Sequence, residues 1–290
     1  MKIKILTLIL SFGFIFSCLA DNECDDKEIC TFNCAKTEND SCIATLDKKT
    51  NTLTLKGYGD ISDYEHSCTP KCHNTADWGT YSSQIYKVVL ENESNDKTFK
   101  SIGATAFEYM YALKEVVLPE GLEKISNEAF NYDVALTTIN LPTTLKEIGA
   151  VAFDNTNISD FVLPSNVTFS HPNMYGHLSS RSLQSLTISG NTILTKKQLT
   201  RYEGDISAFL TSIFCENTNE SCKNLQKDAD IGSKIKFYEK YGDQYYMNGK
   251  FYASPSDISK DCYIKKRIYT IDEANHASKP TGNIFKIRYK

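Results

Sequence analysis

Residues 113–130 read LKEVVLPEGLEKISNEAF and residues 136–153 read LTTINLPTTLKEIGAVAF. Leu113, Leu118, Pro119, Leu122, Ile125, Ala129 and Phe130 therefore return 23 residues later as Leu136, Leu141, Pro142, Leu145, Ile148, Ala152 and Phe153. Self-similarity at a fixed period of this size confines a chain to a solenoid of stacked rungs. One rung buries too little apolar surface to offset the entropy of ordering it, so rungs are stable only as a stack, with atypical ends as caps. Such a scaffold presents a surface and holds no reaction centre by default, which points to a binding protein.

Each unit opens as a strand. In LTTINLP, Ile139 and Leu141 point to one side while Thr138 and Asn140 point to the other. The proline cannot donate to a ladder and closes the strand. After a short turn, the offsets of Leu145, Ile148, Ala152 and Phe153 suit a tight helical or irregular return leg with one apolar side. Two weaker copies flank the clear pair. IYKVVL at 85–90 with KSIGATAF at 100–107 precedes it, with an insertion around Glu93 to Lys97. ISDFVLPSNVTF at 158–169 follows and loses the Ile-x-x-x-Ala-Phe leg, and LQSLTI at 183–188 closes the array. The reading is four units and a closing strand over residues 85–190.

The pattern Leu-x-x-Ile-x-Leu-Pro-x-x-Leu-x-x-Ile-Gly-x-x-Ala-Phe resembles the BspA-type leucine-rich repeat of surface and secreted proteins. Residues 45–84, with TLDKKTNTLTLKGYGDISDY and then Trp78, are similar to the β segment that often precedes such repeats. The resemblance implies an adhesion role toward host cells or matrix proteins.

Residues 1–20, with Lys2 and Lys4 before an apolar run from Ile5 to Phe16 and small residues up to Ala20, fit a secretory signal peptide. Ile15, Phe16, Ser17 and Cys18 also fit a lipobox in which Cys18 is lipidated, so release and anchoring both stay open. Of the ten cysteines, Cys24, Cys30, Cys34, Cys42, Cys68 and Cys72 crowd into a Cys-rich β cap at 21–84, and Cys215, Cys222 and Cys262 lie late. In an exported chain such clusters are disulfide candidates. Their pairing is not fixed by spacing, and the nine that remain after Cys18 leave one unpaired. His66, Cys68, Cys72 and His73 offer zinc ligands, but the paired two-residue gap is missing and an oxidising compartment favours the disulfide, so no metal is expected. No other cofactor is implied. Trp78 is expected to cover the open end of the solenoid core.

Residues 191–290 change character, from leucines to tyrosines, lysines and aspartates, and read as a small α+β module. Helix-like spacing covers 195–215 and 219–227, with Leu199, Ile206, Phe209, Leu210 and Ile213 inward. Asn248 and Gly249 between YYM and KFY signal a two-residue hairpin. Thr270 and Glu273 read as a capping box before a short helix, and NIFKIRYK as a final strand. Interleaved tyrosine and lysine also suits polyanion binding. A net charge of −4 and the export signal argue against nucleic acid, and half-buried strands account for the alternation. H-E-x-x-H, G-x-S-x-G and P-loop motifs are absent, and Ser233 with Lys236 lacks the companions of an S-x-x-K site. No catalytic residues are assigned; a hydrolase within 191–290 and a lipid-tied structural spacer are the alternatives to a binding protein.

The candidate binding face consists of the outward strand positions: Lys87 and Val89, Glu115 and Val117, Thr138 and Asn140, Asp160 and Val162, Ser185 and Thr187. The expected partner is a host or envelope protein or glycan, with membrane contact only through Cys18.

Overall fold

The computed structural model describes Cys24, residues 27–241 apart from 69–70, 172–173, 175, 201–205 and 217–219, and four later strands. These strands are Gln244–Met247, Lys250–Tyr252, Arg267–Asp272 and Ile284–Tyr289. The expected signal peptide, Cys18 and Cys262 lie outside the described residues.

The chain opens as an antiparallel meander of Ile29–Asn33, Ser41–Asp47 and Thr52–Asp60. Alternation along the second and third strands buries Cys42, Ala44, Leu46, Leu53 and Leu55 on one face. The third strand is a single nine-residue run, and it acts as the first rung. Its first part pairs parallel with Lys87–Asn92, and its last residues pair with Phe99–Ile102 after a register shift at Gly59/Asp60. Gly59 sits at φ +80, and a Cβ there would stand 2.1 Å from Asp40 Oδ1, so the bend needs glycine.

From this rung two parallel ladders grow. In the first, Leu53, Val88, Val116 and Ile139 fall in register, all buried. In the second, Ile102, Ile125, Ile148 and Phe169 do the same. The return leg, helical or irregular by its offsets, is irregular and opens with a second short strand. Two ladder residues per rung, Lys124–Ile125 and Glu147–Ile148, place one side chain inside and one outside, and the stack saturates their backbone groups.

The turns form a third hydrogen-bonded side. Phe107, Phe130, Tyr109 and Tyr132 donate their backbone N–H groups to Ala129, Ala152, Asn131 and Asp154 of the next rung at 2.9–3.0 Å. Positive φ angles recur with the period, at Thr105, Glu128 and Val151 and again at Tyr109, Tyr132 and Asn155. The repeat thus imposes a left-handed backbone on side chains that disfavour it. Inside, Trp78, Phe107, Phe130 and Phe153 form a continuous stack with centroid separations of 5.8, 5.3 and 5.6 Å.

The first ladder stops at Ile139, where the fourth unit decays. A second parallel run begins at Asp160–Leu163 and continues through Ser185–Ile188, Ser212–Glu216 and Lys236–Tyr241. The boundary drawn at 190 therefore does not interrupt the ladder. Loss of the Leu-Pro signature hides the last two of these rungs, while Leu186, Ile213 and the partly buried Phe237 keep the inward position. Within 195–215, where spacing suggests a helix, only Lys196–Leu199 is helical among the described residues, and Phe209 is exposed while Leu199, Leu210 and Ile213 are buried. The helix expected at 219–227 is present as Glu220–Lys227.

Met247 pairs with Lys250 across an antiparallel connection, as the Asn-Gly signal requires. Ile284–Tyr289 is a strand, paired with Arg267–Asp272. That pairing makes Thr270 a strand residue, not a helix cap. Cysteine pairing among the described residues is local: Cys24–Cys30, Cys34–Cys42, Cys68–Cys72 and Cys215–Cys222. No helix among the described residues is long and apolar enough to cross a membrane.

Candidate functional site

The first ladder brings Lys87, Glu115 and Thr138 into one outward column and Val89 and Val117 into a second beside it. Lys87 Nζ lies 2.8 Å from Glu115 Oε1, so the two charges of this column largely neutralise one another. Thr138, Asn140 and Val117 are exposed, and Lys87, Val89 and Glu115 half-buried. Asp160 and Val162 are also exposed but belong to the second run of strands. The face is therefore two adjoining patches.

Ser185 and Thr187 do not belong to either patch. They are 7% and 0% exposed. The strand that carries them is flanked by Asp160–Leu163 on one side and Ser212–Glu216 on the other, with Thr187 in register between Val162 and the buried Phe214. The Ser185 hydroxyl donates to Asp160 Oδ1. A sequence reading that ends the array at 188 treats this strand as an edge, whereas it is interior.

The second ladder carries a charged surface on its outer side. Glu123 sits between Lys100 at 3.3 Å and Lys146 at 2.5 Å, and Lys124 pairs with Glu147 at 3.0 Å. The two lysines hold the Glu123 carboxyl below its ordinary range. Lys100, Glu123, Lys124 and Glu147 border a shallow groove of about 530 Å³ that also includes Asp60, Asp63 and His171.

Sequence reasoning missed a polar spine beside the aromatic stack. The residue after each repeat phenylalanine is Glu108, Asn131 or Asp154, all buried. Asn131 Nδ2 donates to Glu108 Oε1 at 2.9 Å, and Ser179 Oγ donates to Asp154 Oδ1 at 2.7 Å. Two positions beyond Asn131, the buried Asp133 accepts from the Met110 backbone N–H at 2.7 Å. Burial pushes the Glu108 carboxyl up to about 7, and the Glu128 carboxylate adds to that rise. Burial also drives Asp133 well above its usual range. The signal was present in AFEY, AFNY and AFDN, where a polar residue follows the phenylalanine each time, but polar residues in turns read as solvated by default.

His66 and His73 begin the two strands of a hairpin, His66–Ser67 with His73–Asn74, whose Cys68 and Cys72 are bonded to each other. The zinc set of two cysteines and two histidines is thereby excluded, because oxidised sulfurs do not ligate. His177 is buried, with Nε2 2.6 Å from the Ser170 carbonyl oxygen, and burial pushes its pKa down. Trp78 is fully buried and donates from Nε1 to the Ala106 carbonyl at 3.0 Å, in the capping role expected of it.

Stacked short parallel strands with aliphatic interiors define a leucine-rich-repeat solenoid, a fold of non-catalytic binding scaffolds. Residues 100–226 match, in six copies, the family described as "BspA type Leucine rich repeat region". Residues 100–226 are thus a BspA-type leucine-rich-repeat region. The six matched copies extend past residue 190, to residue 226.

Among solved structures, the chain is similar to a leucine-rich repeat protein of Eubacterium ventriosum, with 16% identity, a TM-score of 0.40 and coverage of 63% of this chain and 56% of that one. It is similar to the pneumococcal vaccine antigen PcpA with 29% identity, a TM-score of 0.43 and coverage of 55% and 38%. A leucine rich repeat protein of T. pallidum gives 17% identity, a TM-score of 0.39 and coverage of 68% and 94%. The chain spans about half or less of the length of the first two of these proteins. No curated protein sequence matches it.

Proposed function

We propose that this chain is an exported recognition protein that binds a host or envelope macromolecule, a protein or a glycan, through the outward face of its first ladder. The observation that carries the reading is the patch of Val117, Thr138 and Asn140, exposed on a rigid sheet whose neighbouring charges, Lys87 and Glu115, are already paired. A patch of small apolar and neutral polar groups on preorganised strands loses little entropy on binding, and no buried charge has to be stripped of water. Export is supported by the leader-like segment 1–20 and by the disulfides of the cap.

The test uses the full mature chain against arrayed glycans and immobilised matrix and envelope proteins. Val117→Lys with Asn140→Lys is expected to weaken the strongest interaction found by at least about tenfold while leaving the thermal midpoint in place, as charge introduced at an interface centre does. Unchanged affinity in this double variant overturns the placement of the site. Intact mass of the mature protein separates release from anchoring: an N-terminus at Asp21 supports release, and an acylated Cys18 supports anchoring.

A further inference from the structure

We propose that His66, Glu108 and Glu128 form a binding site for a divalent transition-metal ion of the zinc class, which bolts the cap hairpin to the first two repeats. One ligand atom from each of the three residues lies within 4.8 Å of the other two. The residues come from separate parts of the chain: His66 from the cap hairpin, Glu108 from the turn of one rung and Glu128 from the turn of the next.

Their meeting is enforced by backbone. Phe107 donates to Ala129, which sets Glu108 against the segment that carries Glu128. The hairpin is fastened to the same turn by Asn74, whose Nδ2 donates to the Glu108 carbonyl at 2.8 Å, and by the Tyr111 hydroxyl, which donates to the Cys72 carbonyl at 2.9 Å. The His66 ring stands edge-on to Tyr109, with centroids 5.9 Å apart, which fixes its plane.

The donor set and spacing suit the ion. His66 Nδ1 is 3.1 Å from Glu108 Oε2, close to the roughly 3.3 Å that separates two ligands of a tetrahedral centre with bonds of about 2.0 Å. Glu108 is almost fully buried at the base, while His66 is exposed and Glu128 half-buried, so an ion can enter and water can complete its shell. One imidazole with two carboxylates favours zinc over calcium or magnesium, which prefer all-oxygen cages.

A neighbouring amide orients the buried ligand. Asn131, itself more than nine-tenths buried, grips Glu108 Oε1 with its amide N–H, which leaves Oε2 directed at His66. The other end of that amide, Oδ1, has no partner. Orienting hydrogen bonds of the Asn131 kind are what ligating carboxylates require. The site differs from the sequence expectation of no metal and from the cysteine-containing set considered there; it shares only His66 with that set.

The full mature chain, oxidised and freed of metal with chelator, is titrated with zinc chloride by calorimetry and melted with and without zinc at about a hundredfold above a micromolar Kd. One equivalent is expected to bind, raising the midpoint by about 5 °C, with calcium at the same concentration giving no shift. Glu128→Gln and His66→Gln are expected to lose at least about tenfold in zinc affinity and the thermal shift. His66 is exposed and Glu128 half-buried, so both variants should still fold cooperatively, and each zinc-induced shift is read against that variant's own metal-free midpoint. Absence of stoichiometric zinc binding, or binding that survives both substitutions, overturns the proposal.

Discussion

Trp78 lies in stacked contact with Phe107, ring centroids 5.8 Å apart and planes 26° apart, and continues inward the column of repeat phenylalanines. Phe32 and Tyr64 close over its outer side at 6.5 and 5.3 Å. The solenoid therefore ends on a single aromatic side chain that belongs to no repeat, and the disulfide-tied meander holds it there.

Removing that closure should be costly. Trp78→Ala is expected to destabilise by about 3–5 kcal/mol, as large aromatic truncations in cores do, and to strand the Ala106 carbonyl. Trp78→Phe keeps the stack, loses the hydrogen bond and should cost less. Urea unfolding of the two variants against the parent checks the order.

Val162 and Thr187, both expected on the outward face, should respond differently to charge. Val162→Lys places the ammonium where the side chain is 49% exposed, and a change within about 0.5 kcal/mol is expected. Thr187→Lys, in register beside it but fully buried, should destabilise by several kcal/mol or prevent folding, because an unpaired charge would be taken out of water. Thermal melts of the pair test whether the interior position of this strand holds.

Val151 occupies a left-handed conformation, φ 59°, that a β-branched side chain disfavours by about 1–2 kcal/mol. The periodic turn demands that backbone whatever residue falls there. Val151→Asn should therefore raise stability by about 0.5–1 kcal/mol, since asparagine tolerates the conformation best among side-chain-bearing residues. A lowered midpoint would show that Val151 packing outweighs the backbone cost.

His177 should make stability depend on pH on the acid side. Its pKa is lowered on folding from the ordinary value of 6.5, chiefly by burial. The unfolded chain therefore takes up a proton that the folded chain refuses. The contribution is fully present above pH 6.5 and is lost as pH falls from there through the folded value. His177→Gln retains a donor for the Ser170 carbonyl without a titrating ring, and should flatten the fall in midpoint between pH 6.5 and 5.

Much of the rung was legible because its burial follows a period. Ile139, Ile148, Ala152 and Phe153 are all inside, as their recurrence from one unit to the next requires. Leu118 and Leu141 lie at the margin of the interior, because the prolines after them end each strand early. The second strand of each rung was not legible: so short a run carries no alternation to detect, and only pairing with the neighbouring rung makes Lys124–Ile125 a strand. The rungs at Ser212 and Lys236 were hidden for a different reason. Asp160, Ser185, Ser212 and Lys236 stand in register although unevenly spaced along the chain, so no fixed period marks them.

By itself the sequence determined that residues 85–190 coil into interdependent rungs, that apolar recurrences face inward and that a tryptophan outside the array would cap it, since each follows from the need to bury periodic side chains. Tertiary structure alone decided which cysteines pair, that Ser185 and Thr187 are interior, and that His66, Glu108 and Glu128 converge. Those outcomes depend on which segments are laid side by side across many residues, and local pattern carries no record of that.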